Sequence, residues 1–159
     1  MTATQLQNSP QVGELAPDFT AASTSGSNVA LDSFRGKRNV LLAFFPLAFT
    51  GTCTKELVCF TEDFDQFANH GVEILPISVD SVPSLREFKN KLQMKTELLS
   101  DFKRDISRAY GVLNEDRFYS NRAYFLINKL GILRWSHVES NNSDRRGNEE
   151  ILAAMKLLS

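Results

Sequence analysis

A chain of 159 residues fits one domain and is long enough to bury a core, with roughly two thirds of its unfolded surface removed from water. Lys+Arg number 18 and Asp+Glu 19, a net charge of −1, so no basic surplus exists to hold nucleic acid or anionic lipid. Apolar residues at 42% and charged residues at 23% suit a soluble globular protein, and no apolar run nears the ~20 residues that cross a bilayer.

Residues 1–12 read as a flexible lead-in and 13–159 as one domain. The first ten residues lack a basic stretch followed by an apolar one, so no secretory signal is expected. A reducing, cytoplasmic setting follows, with the two cysteines free, catalytic or sensing rather than joined. Asn39 to Phe45 is a nearly continuous apolar run ended by Pro46, as a central buried strand should be. Cys53 to Asn69 has helical periodicity, with Gly71 as its stop. Val72 to Val79 is a second strand, in which Pro76 predicts a bulge or an edge. Ser81 caps a helix over Val82 to Leu92, with Pro83 tolerated in its first turn.

Ile106 to Tyr110 is a short helix closed by Gly111. Ala123 to Ile127 and Ile132 to Val138 are strands joined by a hairpin turn over Asn128 to Gly131. Asn148 to Leu158 closes the chain as a helix. Two parallel crossovers, then an antiparallel hairpin and a last helix, predict an α/β fold: a mixed central sheet with helices on both faces, on the thioredoxin-like plan.

Cys53 lies in the first turn of a helix that closely follows a core strand. Helix starts carry partial positive charge and unpaired N–H groups, which favour a thiolate over a thiol. The thiolate is the nucleophilic form of cysteine. A lone cysteine is more often a small buried apolar residue; the strand, Pro46, loop, Thr50 and helix around Cys53 reverse that reading.

Pro46-x-x-x-Thr50-x-x-Cys53 resembles the active-site motif of the peroxiredoxins. Ala16-Pro17-Asp18-Phe19, Leu31 to Phe34 with Gly36-Lys37, and the Leu41 to Pro46 strand resemble the same family's amino half. Asn121 to Asn128 resembles the segment that carries the family's arginine, here Arg122, and the resemblance spans about residues 13 to 139. Phe45 to Gly51 and Tyr110 to Glu115 are most similar to the one-cysteine subgroup called alkyl hydroperoxide reductase E. Glu56 matches a carboxylate common there and in the bacterioferritin-comigratory subgroup.

The resemblance implies a thiol-dependent peroxidase that reduces hydrogen peroxide or organic hydroperoxides. Cys53 attacks the peroxide and becomes a sulfenic acid. Thr50 contacts the peroxide, Arg122 keeps the sulfur ionised and stabilises developing charge, Pro46 packs over the sulfur, and Glu56 supports them. It implies no cofactor, and relatives imply a homodimer.

The sulfenic acid needs a second thiol. Leu57, Phe60, Phe64, Phe67 and Ala68 fall in a helical stripe near the direction of Cys53, whereas Cys59 projects roughly 130° away from it. Along a helix the two cysteines are ~10 Å apart at Cα, beyond the ~7 Å limit for a disulfide. Relatives that resolve through this helix use a cysteine five positions on, and Cys59 is six on. No cysteine follows Cys59 in this sequence. The expected reductant is therefore external: thioredoxin, glutaredoxin or a low-molecular-weight thiol.

His70 and His137 lie apart with no metal-ligand spacing, His137 being a packing residue on its strand. Arg145-Arg146 and Lys103-Arg104 read as solvated charge pairs. Two alternatives stay open. A disulfide oxidoreductase is disfavoured because Thr50 stands where a C-x-x-C pair would place its first cysteine. A peroxide-responsive sensor would be oxidised once without turnover.

Overall fold

A computed structural model describes residues 9–141 and 144–158. The first eight positions of the expected lead-in lie outside the described residues. From Gly13 the backbone bonds to the far edge of the sheet, Gly13 N–H donating to Leu133 O at 2.8 Å.

The chain opens with a hairpin of β1 (Thr20–Ser23) and β2 (Asn28–Ala30), then a 3-10 turn at Leu31–Phe34. There follow β3 (Asn39–Phe44), α1 (Gly51–Glu62), α2 (Phe64–Asn69), β4 (Val72–Ser78), α3 (Val82–Leu92) and β5 (Leu99–Ser100). After α4 (Asp105–Ala109) come a small hairpin, β6 (Leu113–Asn114) with β7 (Tyr119–Ser120), and the long pair β8 (Ala123–Ile127) and β9 (Leu133–Val138). The chain ends with α5 (Asn148–Ala154) and a 3-10 turn, Met155–Leu158.

Seven strands form one mixed sheet in the order β2-β1-β5-β4-β3-β8-β9. At its centre β3 runs parallel to β4 and antiparallel to β8. Side chains alternate across a strand, and β3 is buried on both sides. Leu41, Ala43 and Phe45 pack with Leu57, Phe60, Phe67, Leu85, Phe88 and Ile151, under α1, α2, α3 and α5. Val40, Leu42 and Phe44 pack on the opposite face with Leu31, Ile106 and Tyr110. The two-faced layer expected from the element order is present. The flanking β1, β2 and β5, and the β6–β7 hairpin, are additions too short to show a period in the sequence.

Pro76 makes neither a bulge nor an edge. β4 is internal, and Ala43 pairs with Pro76 with no shift of register. Ile77 O accepts from Phe45 N–H on the β3 side, while Ser78 O accepts from Asp101 N–H on the other side. Alternation therefore turns the nitrogen of Pro76 away from β3. On that side β5 pairs only with Ile77 and Ser78, so no ladder bond is lost.

The helix expected over Cys53 to Asn69 is two helices, broken at Asp63 (φ −100°, ψ 14°). The Thr61 hydroxyl donates to Leu57 O at 3.0 Å. The Asn148 amide donates at 2.9 Å both to Cys59 O and to the Asp63 carboxylate. At the break Asp63 N–H still donates to Cys59 O at 3.1 Å, so the Asn148 amide shares that carbonyl. The next helix starts with Gln66 N–H and Phe67 N–H donating to Asp63 O. The break leaves Phe64 only half-buried, whereas Phe60 and Phe67 reach the core. The closing helix also tightens after Ala154, giving a 3-10 turn where continued α-helix is predicted.

Between β3 and α1 the chain makes the loop that carries the site. Its Ala48 N–H donates to Asp80 Oδ2 at 2.8 Å, and Ser78 Oγ donates to the same oxygen at 2.7 Å. Asp80 thus ties the loop to the end of β4. Asp80→Ala is expected to lower the unfolding free energy by about 1–3 kcal/mol in chemical denaturation, the scale for losing charge-assisted hydrogen bonds.

Candidate active site

Cys53 is the third residue of α1 and is 1% exposed. Thr50 caps the helix in extended conformation (φ −86°, ψ 156°), and the first helical bond runs from Thr54 N–H to Thr50 O at 2.9 Å. The amides of Gly51, Thr52 and Cys53 therefore lie ahead of the helical ladder. Thr50 is exposed, and its hydroxyl donates to Leu47 O at 2.8 Å, which fixes the rotor and presents the oxygen as an acceptor. Pro46 is buried. Pro46, Leu47, Thr50, Gly51, Thr52, Cys53, Tyr119 and Arg122 line a cleft of about 220 Å³.

Arg122 precedes β8 directly, and β8 pairs with β3, so the residue 69 positions away arrives beside the sulfur. Nη2 donates to Cys53 Sγ at 2.9 Å, and Nη1 donates to Glu56 Oε1 at 2.9 Å. Both side chains of that ion pair are 1% exposed. Glu56 is three residues beyond Cys53 and shares its helix face. Its other oxygen accepts from the Tyr124 hydroxyl. Arg146 N–H donates to that hydroxyl at 3.0 Å, and the Arg146 guanidinium grips buried Glu139 at 2.6 Å. Glu139 N–H donates at 2.8 Å to Arg122 O, which closes the circuit.

Burial pushes the Glu56 carboxyl above the usual carboxylate range, and Arg122 and Tyr124 only partly offset this. Burial also opposes charge on Arg122, but Glu56 and the Cys53 sulfur outweigh it and hold the guanidinium above its ordinary value. A guanidinium does not give up its proton in a protein, so the desolvation penalty of the pair falls on the carboxyl. Tyr124 is likewise pushed up, by burial and then by Glu56.

Pro46, Thr50, Cys53, Glu56 and Arg122 therefore lie together, and Cys59 does not. Cys59 stays on the same unbroken α1 as Cys53, and both are free thiols. It is half-buried rather than on an open polar face, because the start of α5 lies against the carbonyl of Cys59 through Asn148. Arg146 is partly exposed and is paired with Glu139 rather than standing free in solvent. Arg104 lies over the Phe118 ring at 4.3 Å. His70 Nδ1 meets Gln66 O at 2.8 Å, and half-buried His137 meets Glu139 at 3.2 Å. Tyr119 and Tyr124 were not legible as site residues. The signal for Tyr124 was its position two beyond Arg122, since alternate strand residues share a face.

A sulfur at a helix start with a guanidinium on it, and no second cysteine in reach, suits reaction with a small electrophile rather than dithiol exchange. The class is that of thioredoxin-fold enzymes that reduce peroxides through a reactive thiol. The chain belongs to the AhpC/TSA family, the peroxiredoxins, whose model matches residues 12–136. It is 38% identical over 148 residues to alkyl hydroperoxide reductase E of Mycobacterium tuberculosis, covering 91% of this chain and 97% of that one. It is 35% identical over 159 residues to the chloroplastic 2-Cys peroxiredoxin BAS1 of Hordeum vulgare, covering 94% of this chain and 75% of that protein. The reduced 2-Cys peroxiredoxin of Plasmodium vivax superposes with a TM-score of 0.86 at 36% identity, over 92% of this chain and 81% of that one. The protein is a thiol-dependent peroxidase of thioredoxin-like fold. Among the described residues no helix is long and apolar enough to cross a membrane.

A carboxyl whose folded value is raised favours the native state while protonated, so its contribution is lost as pH rises through that folded value. The Glu56 contribution to wild-type stability is expected to fall from about pH 4.5, the ordinary value, upward through the raised one. Glu56→Gln removes the titration, so its unfolding free energy relative to wild type should rise with pH across that window, as denaturation at a series of pH values would measure.

Proposed function

We propose that Cys53 is the peroxide-reducing sulfur of this peroxidase, and that Pro46, Thr50, Arg122 and Glu56 serve it. The observation that carries the reading is the 2.9 Å hydrogen bond from Arg122 to Cys53 Sγ inside a cleft open to a small molecule. The thiolate attacks one peroxide oxygen along the O–O axis. An S–O bond forms, the O–O bond breaks, and its electron pair leaves on the second oxygen as hydroxide or alkoxide, which takes up a proton. The sulfur is oxidised by two electrons to a sulfenic acid and the peroxide is reduced to water or an alcohol.

Arg122 sits where negative charge passes from sulfur to leaving oxygen, and a fixed cation in a dry site stabilises that charge without reorganising. Thr50 accepts the peroxide proton, its own hydroxyl proton being engaged with Leu47. The Cys53 amide donates to a peroxide oxygen, and Pro46 keeps water from the sulfur.

An external thiol then attacks the sulfenic sulfur, releasing water and leaving a mixed disulfide, and a second thiol frees Cys53. Continuity of α1 between Cys53 and Cys59 supports that route, since a helix holds the two apart. Recycling needs a supply of thiols, so the working compartment in this reading is the reducing cytoplasm, with thioredoxin, glutaredoxin or a low-molecular-weight thiol as donor. Homodimer formation around the active-site loops is part of the same reading; Phe49, beside the cleft and 51% exposed, offers apolar surface for it.

Cys53→Ser is expected to abolish peroxide consumption, and Cys59→Ser to leave turnover with small thiols within about twofold of wild type. One equivalent of peroxide should add about 16 Da to the intact mass, one oxygen, whereas an internal disulfide would subtract about 2 Da. Peroxide consumption that persists in Cys53→Ser would refute the assignment. A Cys59→Ser enzyme that is oxidised once and never recycled would refute the external route.

A further inference from the structure

We infer that Tyr124 is a positioning residue for peroxide reduction, acting through Glu56 on the guanidinium that touches the reacting sulfur. It rests on the assignment of Cys53, which Cys53→Ser tests separately. The bond pattern carries the inference. A phenol has one proton to donate and lone pairs to accept with. The Arg146 amide can only donate, and its N–H meets the Tyr124 oxygen at 3.0 Å. The phenolic proton is thereby left for Glu56 Oε2. With Oε2 held by Tyr124 and Oε1 by Arg122 Nη1 at 2.9 Å, the carboxylate plane is fixed at both ends. That fixes the guanidinium plane, whose other arm lies on Sγ at 2.9 Å.

Tyr124 is itself held by its packing and its bonds. It is fully buried as the second residue of β8 and packs beside the Trp135 ring at 6.4 Å between centroids. The amide that orients it belongs to Arg146, whose guanidinium is anchored on Glu139. Glu139 in turn bonds the backbone of Arg122. One rigid frame therefore holds both ends of the chain from Tyr124 to sulfur.

The arrangement also governs charge. Glu56 is faced by Arg122 and Tyr124 from the β8 segment, by Arg145 from the approach to α5, and, through Arg122, by Cys53 of its own helix. His137, opposite Tyr124 across the β8–β9 ladder, is engaged by Glu139. Donation from Tyr124 favours the carboxylate over the carboxylic acid and opposes the effect of burial. Loss of the phenolic proton should let Glu56 protonate at higher pH and should loosen the guanidinium.

The test is the second-order rate of Cys53 oxidation by hydrogen peroxide, followed from pH 5 to 9 in wild type, Tyr124→Phe, Glu56→Gln and the double variant. Tyr124→Phe should slow oxidation about tenfold at neutral pH, a scale set by small misplacements in active sites. The inflection that Glu56→Gln removes should move to higher pH in Tyr124→Phe. In the Glu56→Gln background, Tyr124→Phe should add little further loss.

Site-specific 3-fluorotyrosine at position 124, a stronger donor of the same shape, should move that inflection to lower pH. This opposite shift cannot arise from disrupted folding, and it decides the matter if Tyr124→Phe does not fold. A wild-type rate and profile in Tyr124→Phe would overturn the inference. So would a slowing of equal size with and without Glu56, a slowing with no movement of the inflection, or a wild-type profile that Glu56→Gln leaves unchanged.

Discussion

One buried cation organises this molecule's chemistry. Arg122 has one arm on the sulfur of Cys53 and another on the carboxylate of Glu56, with all three side chains 1% exposed. A guanidinium taken out of water is costly unless its charge and donors are met. Here the acceptors that meet them include the sulfur of Cys53 and a carboxylate from the same helix face. The requirement to satisfy Arg122 and the requirement to polarise Cys53 are therefore a single geometric condition.

That condition explains features remote from the cleft. β3 must be flanked by β4 on one side and β8 on the other, since β3 leads into α1 and β8 delivers Arg122. Asp80 binds the connecting loop to the end of β4, so α1 begins at a fixed place relative to the sheet. The last part of the chain closes over the same region, with Arg146 meeting Tyr124 and Glu139, and Asn148 meeting the end of α1. The break at Asp63 is where that closing segment meets α1, the Asn148 amide donating to Cys59 O and to the Asp63 carboxylate.

Glu56 has a double effect. Its negative charge makes burial of Arg122 tolerable, yet it also draws on the same cation that the sulfur needs. Burial pushes the carboxyl toward protonation while Arg122 and Tyr124 hold it toward the anion. The charge of the carboxyl that shares Arg122 with the sulfur is thus set in part by Tyr124, which bonds Glu56 and not Cys53.

Much of this was legible in the linear chain. The unbroken apolar run from Val40 to Phe45 could only be a strand buried on both faces, and Thr50 to Cys53 after Pro46 marked a helix start, because those signals are local. Likeness to a known motif brought Arg122 forward, since 69 positions separate it from Cys53 and no periodicity joins them. Tyr124, Glu139 and Arg146 could not be read as partners. Their pairing depends on β9 lying against β8 and on the closing segment turning back over both, which no local pattern encodes. Pro76 shows the same division: its effect on a strand was readable, but its harmlessness depends on how short the neighbouring strand is. Sequence alone determined that a cysteine stands at a helix start behind a buried strand, because residue type and local spacing set that. Tertiary structure decided how Cys53, Glu56 and Arg122 share charge and protons, because that depends on distances of about 3 Å between segments far apart in the chain.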